Sequence, residues 1–411
     1  MKNFNTVVIG AGPAGMMASI EASKKGTVCI IDSNPTPGRK LLLTGGGRCN
    51  VTVSETSRMF LKGIPAHSSF LHSSLHQFSP SDTQTFFQNR GVALKTEHNN
   101  AVFPASDKAE TILQCIVGEM EKQNIVYQQA TVQKVQIKEN ATFYIVSEQH
   151  GNTQIWETNH VILATGGKSY THTGSTGGGY QIAQQLGHTI VPTEPGLIHL
   201  QAKPNYWNDC QGISLSSITL KWCGSKEKHT GDFIFTDNGF SGPVILNMSL
   251  EPFRKKELCI DFFPPISDEE WTHSVEDWRA LHPTMKVSSW LQQWFPKKMV
   301  AVFLSLAEIQ DTLPGAEFSK KDQHKLYTLL RGGIVNHVQK GSIEKAMVTL
   351  GGVHLKEVNP GTMESKIQPG LFFAGEVLDI AGKTGGYNIQ IALSTGFVAG
   401  QLKTETKRGE A

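Results

Sequence analysis

Short, wholly apolar runs followed by glycines and then by a helical pattern set the first expectation. Thr6-Val7-Val8-Ile9 is apolar without alternation, which fits a strand buried on both faces. A helix is expected from Pro13 to Lys25, directly after glycines, and a second buried strand from Thr27 to Ile31. Strand, glycine turn, helix and strand within about 30 residues make a βαβ unit with a right-handed crossover.

Further along, residues 54–80 read as surface helix and loop, and Ser81 or Asp82 is placed to cap a short helix ending before Gly91. The alternating runs VYQQATVQKVQI and ATFYIVSE suit antiparallel strands. Val161 to Ala164 is another buried strand, followed by glycines and a helix near 178–187. After Pro195 the pattern changes. Residues 195–262 carry short strand-like pieces such as SSITLKW and DFIFT, expected to form a small β-barrel. Residues 263–343 look mainly helical, with Trp271, Val275, Trp278 and Leu281 on one face and Ser319 with Asp322 as a capping box. The glycine-rich style then returns in MVTLGGV, GLFFAGEV and a helix from about Asn388 to Leu402. The predicted architecture is α/β: a Rossmann-like nucleotide-binding domain (1–194 and 344–411) interrupted by an insert (195–343), with a frayed KTETKRGEA tail.

Composition narrows the function. The 38 basic and 36 acidic residues leave a net charge of +2, which offers no basic excess for nucleic acid. No apolar run is long enough for a membrane span, and the glycines interrupt any signal-peptide core, so a cytoplasmic protein is expected. The six cysteines (Cys29, Cys49, Cys115, Cys210, Cys223, Cys259) show no C-x-x-C pair and no zinc spacing, so reduced thiols and no metal site are expected.

Gly10-Ala11-Gly12-Pro13-Ala14-Gly15 is G-x-G-x-x-G in a βαβ context. Gly10 permits the turn, Gly12 lets a pyrophosphate approach, and Gly15 lets helix and strand pack. The helix N-terminus supplies N–H groups and positive dipole to phosphate. Asp32, with Ser33 after it, ends the second strand where a carboxylate accepts ribose hydroxyls and repels a 2′-phosphate. Thr165 and Gly166 end a later strand and Gly375 another, each where backbone passes close to a cofactor. Glu376 or Asp379 is placed to bond a ribityl hydroxyl. Gly386, Asn388 and Ile389 open the last helix, whose N-terminus would face the flavin pyrimidine. Contributions from both chain ends fit a long cofactor such as FAD better than NAD.

Seven stretches carry a resemblance: VVIGAGPAGMMAS, GRKLLLTGGGRCNVT, VFPASDKA, ATGGKSYTHTGSTGGGYQIAQQLGH, FTDNGFSGPVIL, TLGGV and GLFFAGEVLDIAGKTGGYNIQIALSTG. The chain resembles the flavoprotein family of BaiN-like reductases and aminoacetone oxidases, within the fumarate reductase and succinate dehydrogenase flavoprotein superfamily. The resemblance implies bound FAD and an insert made of a β-barrel plus a helical piece. It also implies Arg39, Lys40, Gly45, Gly46 and Asn50 beside the cofactor, Val132 at the adenine and Glu376 at the ribityl chain. The superfamily often carries Gly-Asp-Gly where this chain has Gly177-Gly178-Gly179, so that carboxylate's role is absent here.

The expected function is FAD-dependent redox chemistry on a small molecule bound between the nucleotide-binding domain and the insert. NAD(P)H-linked reduction of an activated double bond stands first, with NADH or NADPH visiting as donor, since no second dinucleotide motif is visible. Amine oxidation with dioxygen is the alternative. An RNA-modifying flavoprotein and a non-catalytic flavin-binding protein are readings from other classes. Arg48 is the candidate to stabilise developing anion, or else only pairs with the cofactor or a neighbouring acid. Tyr387 is a candidate proton donor or packs on the flavin. Cys49 reads as a small buried hydrophobe, His72 with His76 as surface helix, and His199 as either facing the cleft or structural. The Trp-rich helices near 271–294 read as insert core, or as the wall of an apolar pocket.

Overall fold

The computed structural model describes residues 1–404 except 139–141, 205, 252–256 and 264–266. Residues 405–411 of the tail lie outside the described residues. Two units are present, one of Met1–Gly196 with Ser342–Ala411 and one of Leu197–Gly341.

The first unit is built on a parallel sheet in which Lys2–Ile9 lies between Val28–Asp32 and Asn152–Leu163. Val126–Gln129 extends it beyond Val28–Asp32. The other edge of Asn152–Leu163 is shared. Its first part pairs antiparallel with Phe143–Gln149, while Val161, Ile162 and Leu163 pair parallel with Leu371–Phe373. The run VYQQATVQKVQI therefore divides at Ala130. Val126–Gln129 joins the parallel sheet, and Thr131–Ile137 pairs antiparallel with Phe143–Gln149.

Helix Pro13–Ser23 packs on the final helix, Tyr387–Gly400, at distances that only glycine permits. A Cβ on Gly396 would lie 2.3 Å from the Ala14 carbonyl oxygen, and one on Gly400 2.4 Å from that of Ala18. Gly15 approaches Gly10 in the same way, with a Cβ falling 1.9 Å from its carbonyl oxygen.

Several local expectations are corrected. The helix before Gly91 is Pro80–Gln88, capped by Ser79, with Asp82 completing the capping box from the third helical position. Residues 54–80 contribute Phe60, Leu71, Leu75 and Phe78 to the core. Leu281, at the last helical position of Asp268–Leu281, is 74% exposed, whereas Trp271, Val275 and Trp278 are buried.

The second unit holds a seven-stranded sheet and a group of helices. Helix Lys320–Gly332 ends at Gly332, and Gly333–Val335 then pairs with Leu258–Ile260. Gln339–Lys340 pairs with Leu200–Gln201. The helical reading of 263–343 fails for these residues because β-branched Ile334 and Val335 sit beyond two glycines and extend the sheet. Cys223 and Cys259 form a disulfide, correcting the all-thiol expectation. The 36-residue separation hid them, but strand register sets Lys221 opposite Cys259 and so brings Cys223 near.

The glycine contacts generate a paired prediction. Gly396→Leu should destabilise the protein by about 1–3 kcal/mol, because backbone must move to admit the side chain. Gly118→Ala, in a helix with open space at the Cβ position, should stabilise by about 0.5–1 kcal/mol. Urea denaturation of the two variants checks both signs.

Candidate dinucleotide site

The parallel strands end level with one another. Ile9 is in register with Ile31 and Leu163, and Leu163 with Phe373. All four chain segments therefore leave the sheet at one edge, where ligands of open α/β sheets bind. Gly10 takes φ +102° and its N–H donates to the Ile31 carbonyl at 2.8 Å. Gly12 caps helix Pro13–Ser23 with no side-chain hydrogen bond, and a Cβ there would meet nothing within 4 Å. The first turn carries no acid, and Pro13 lacks an N–H. Ala14 and Gly15 are buried behind it. This is an open, positively polarised cradle.

Asp32 is fixed by its neighbours. Its Oδ2 accepts from the Ala11 N–H at 2.7 Å, and its Oδ1 from the Asn34 N–H and Nδ2, each at 2.8 Å. Asn34, missed in the sequence reading, also donates to the Thr173 carbonyl and accepts from Arg39. Tyr127 donates to the Asn34 carbonyl, and burial followed by the Asp32 charge raises its pKa. Ser33 is exposed. Val132 is half-buried in Thr131–Ile137, two residues past Ala130, whose N–H donates to the Asp32 carbonyl at 2.8 Å.

A second cluster joins four segments. The Lys40 ammonium lies 2.7 Å from both Ser169 Oγ and Glu376 Oε2. Glu376 Oε1 accepts from Ser169 at 2.9 Å and from the Thr349 N–H at 2.8 Å. The Lys40 and Glu376 side chains are about one-fifth exposed, at 22% and 21%. Gly167 is required beside them, since a Cβ would fall 2.3 Å from Thr349 Oγ1. Ser169 and Thr349 carried no sequence signal, because their partners lie far away in the chain.

The GGGRCN segment turns through three left-handed glycines, Gly45, Gly46 and Gly47, and Gly46 has open space at its Cβ position. Of the two roles considered for Arg48, the geometry displays pairing. Its guanidinium binds Asp107 through Nε at 2.8 Å and also binds Glu97, while lying 4.2 Å from the Phe103 ring centroid. Lys95 completes the cluster at 2.6 Å from Asp107. Hydrogen bonding to Arg48 holds the Glu97 carboxyl below its usual range, and Lys95 followed by Arg48 does so for Asp107. The guanidinium is thus committed to carboxylates. Cys49 is fully buried, and burial pushes its thiol up to about 12, which fits an inert packing role.

Asn50 faces the turn before the last helix. Its buried Oδ1 has no hydrogen-bond partner, and a Cβ on Gly386 would come within 2.7 Å of it. Thr165 Oγ1 is likewise buried and unpartnered, and Gly166 beside it takes φ +71°. Tyr387 donates from its hydroxyl to Glu55 at 3.2 Å and packs on Phe60 with centroids 4.8 Å apart. Burial and the Glu55 charge push it up to about 12, so this phenol stays protonated near neutral pH. Glu55 was another residue missed in the sequence. Asn388 braces its own loop by accepting from the Gly382 N–H and donating to the Gly382 carbonyl, and Ile389 is buried. Gly375 takes φ +76° and its N–H donates to Thr395. Asp379 lies 3.6 Å from His67.

The remaining candidates fall elsewhere. His72 and His76 are exposed on helix His72–Gln77. The His199 ring packs on Gly341. Trp271, Trp278 and Trp290 are buried in the insert core. The cleft over Trp278 and Trp290 is rimmed by Glu269, Glu270 and Asp277, so it is not an apolar pocket. Among the described residues, no helix is long and apolar enough to cross a membrane.

These residues fit a dinucleotide. The open Gly12 cradle suits phosphate, and Asn50 presents an orphaned polar atom where Gly386 brings backbone close; the orphaned Thr165 Oγ1 lies against Gly179. The HI0933-like protein Rossmann domain family matches residues 4–402. The 3-dehydro-bile acid delta(4,6)-reductase of Clostridium scindens is 28% identical over 410 residues, covering 97% of this chain and 98% of that protein. The ribosomal RNA dihydrouridine synthase of Escherichia coli is 30% identical over 406 residues, covering 98% of each. Among solved structures, E. coli quinol fumarate reductase aligns with a TM-score of 0.51 at 14% identity. It covers 98% of this chain and 70% of that one, a likeness of fold.

Gly12→Glu tests the cradle. Open space at that Cβ position should leave folding intact, while a carboxylate in the phosphate cradle should abolish dinucleotide retention. Circular dichroism and the flavin content of the purified variant report the two effects separately.

Proposed function

Because this chain belongs to the HI0933-like family of Rossmann flavoproteins and is an FAD-dependent oxidoreductase, we propose that it reduces a carbon–carbon double bond conjugated with a carbonyl group. The observation that carries this reading is what the two full-length relatives' names share. One names a reductase of a 3-dehydro-bile acid and the other a synthase of dihydrouridine. Both describe hydrogen added across a double bond that a carbonyl activates. Neither name describes amine oxidation, so reduction is preferred to the oxidase alternative.

FAD supplies the hydride when bound, and NADH or NADPH is the proposed visiting donor. The chain's own residues orient and polarise. The N-terminus of Pro13–Ser23 would hold the pyrophosphate, with Asp32 toward the ribose. Lys40 and Glu376 fix one another where a ribityl chain would lie, and Asn50 and Thr165 would give their unpartnered atoms to the cofactor. The N-terminus of Tyr387–Gly400 would favour negative charge at the far end. Arg48 acts in this account by holding the glycine turn through Glu97 and Asp107.

A free conjugated ketone is the first substrate reading, in keeping with the balanced charge of the chain. A uracil base in ribosomal RNA is the second, supported by the E. coli relative and by a Haemophilus influenzae relative with the same name at 29% identity.

Anaerobic titration separates these readings. NADH or NADPH should bleach the flavin band. A steroid dienone should then restore it at least about tenfold faster than the corresponding saturated ketone. Restoration by unmodified ribosomal RNA and not by the dienone would select the second substrate. A flavin bleached only by amines, and restored only by air, would defeat the reductase proposal.

A further inference from the structure

We propose that Glu227, His229 and Glu251 form a binding site for a divalent metal ion of the zinc type in the Leu197–Gly341 unit. One donor atom from each of the three lies within 4.8 Å of the others. Their spacing matches no zinc motif, which is why the sequence reading expects no metal. The fold assembles them from two segments. Glu227 lies in the connection leading into strand His229–Thr236, and Glu251 follows helix Pro243–Met248.

Two of the donors are already held in place. His229 Nε2 is 2.9 Å from Glu251 Oε1, and the Trp222 indole N–H donates to Glu251 Oε2 at 3.0 Å. This fixes one carboxylate oxygen from outside and turns the other toward the imidazole, as outer-shell partners of metal ligands do. Directly after Trp222, the Cys223–Cys259 disulfide ties that strand end to Leu258–Asp261. The His229 and Glu251 side chains are about one-fifth exposed, at 20% and 23%, whereas Glu227 is exposed.

One imidazole nitrogen and two carboxylate oxygens suit Zn²⁺, with water completing the shell. Donors around a tetrahedral zinc sit about 3.3 Å apart, so binding needs only a slight opening of the His229–Glu251 pair and an inward turn of Glu227. The two carboxylates neutralise the ion, and a neutral His229 gives its ring nitrogen to it. No electron or proton transfer is assigned to the site.

The test uses the full chain, stripped with chelator and titrated with ZnCl₂ by calorimetry, followed by elemental analysis after dialysis. One zinc per chain is expected. His229→Ala and Glu227→Gln should each weaken binding at least about tenfold, and Trp222→Phe, which releases Glu251, by about tenfold. Flavin content and melting temperature of the metal-free variants report folding. If His229→Ala does not fold, the exposed Glu227→Gln variant decides. No zinc retained at micromolar concentration would overturn the site and leave an ordinary His229–Glu251 ion pair. Unchanged affinity in Glu227→Gln would also overturn it, placing any zinc elsewhere.

Discussion

The structure of the nucleotide-binding unit depends on the contact between its first and last helices. Gly396 and Gly400 lay the backbone of Tyr387–Gly400 against Ala14 and Ala18 at a distance no side chain allows. This brings residues from near both chain termini to the same edge of the sheet. The turn after Ile9 and the turn before Tyr387 then lead into one packed pair of helices, although more than 350 residues separate them. A cofactor long enough to touch both is the chemical counterpart of that packing.

Two sets of charges around this site are neutralised locally. Lys40 is matched by Glu376, and Arg48 with Lys95 by Glu97 and Asp107. Half-buried ions cost less when paired and hydrogen-bonded, and here the pairing also joins segments distant in sequence. What stays unmatched is the polar set around the glycines: the open Gly12 cap, Asn50 Oδ1 and Thr165 Oγ1. Among the buried side-chain atoms without partners, Asn50 Oδ1 is one that lies against a glycine turn suited to a bound dinucleotide.

Local features were legible in the sequence. The βαβ unit followed from Val7-Val8-Ile9, the glycines and Asp32, because each signal lies within a few residues of the next. Cross-chain partners were not legible. Asn34, Glu55, Ser169 and Thr349 matter through hydrogen bonds to groups that only the fold brings near. The same reason hid the Cys223–Cys259 pair and the return of Gly333–Val335 to the sheet. The sequence marks Arg48 as a candidate, but its partners Glu97 and Asp107 come from the connection between two strands of a separate small sheet and from the loop after it, so its pairing could not be read from GGGRCN alone.

The central claim is that a flavin joined to adenine spans the two glycine regions. Denaturing the purified, folded protein and identifying the released chromophore by chromatography and mass tests it most directly. The account predicts FAD, equimolar with the chain. Release of FMN, which has no adenosine ribose to reach Asp32, or a folded colourless chain that takes up no added FAD, would contradict it.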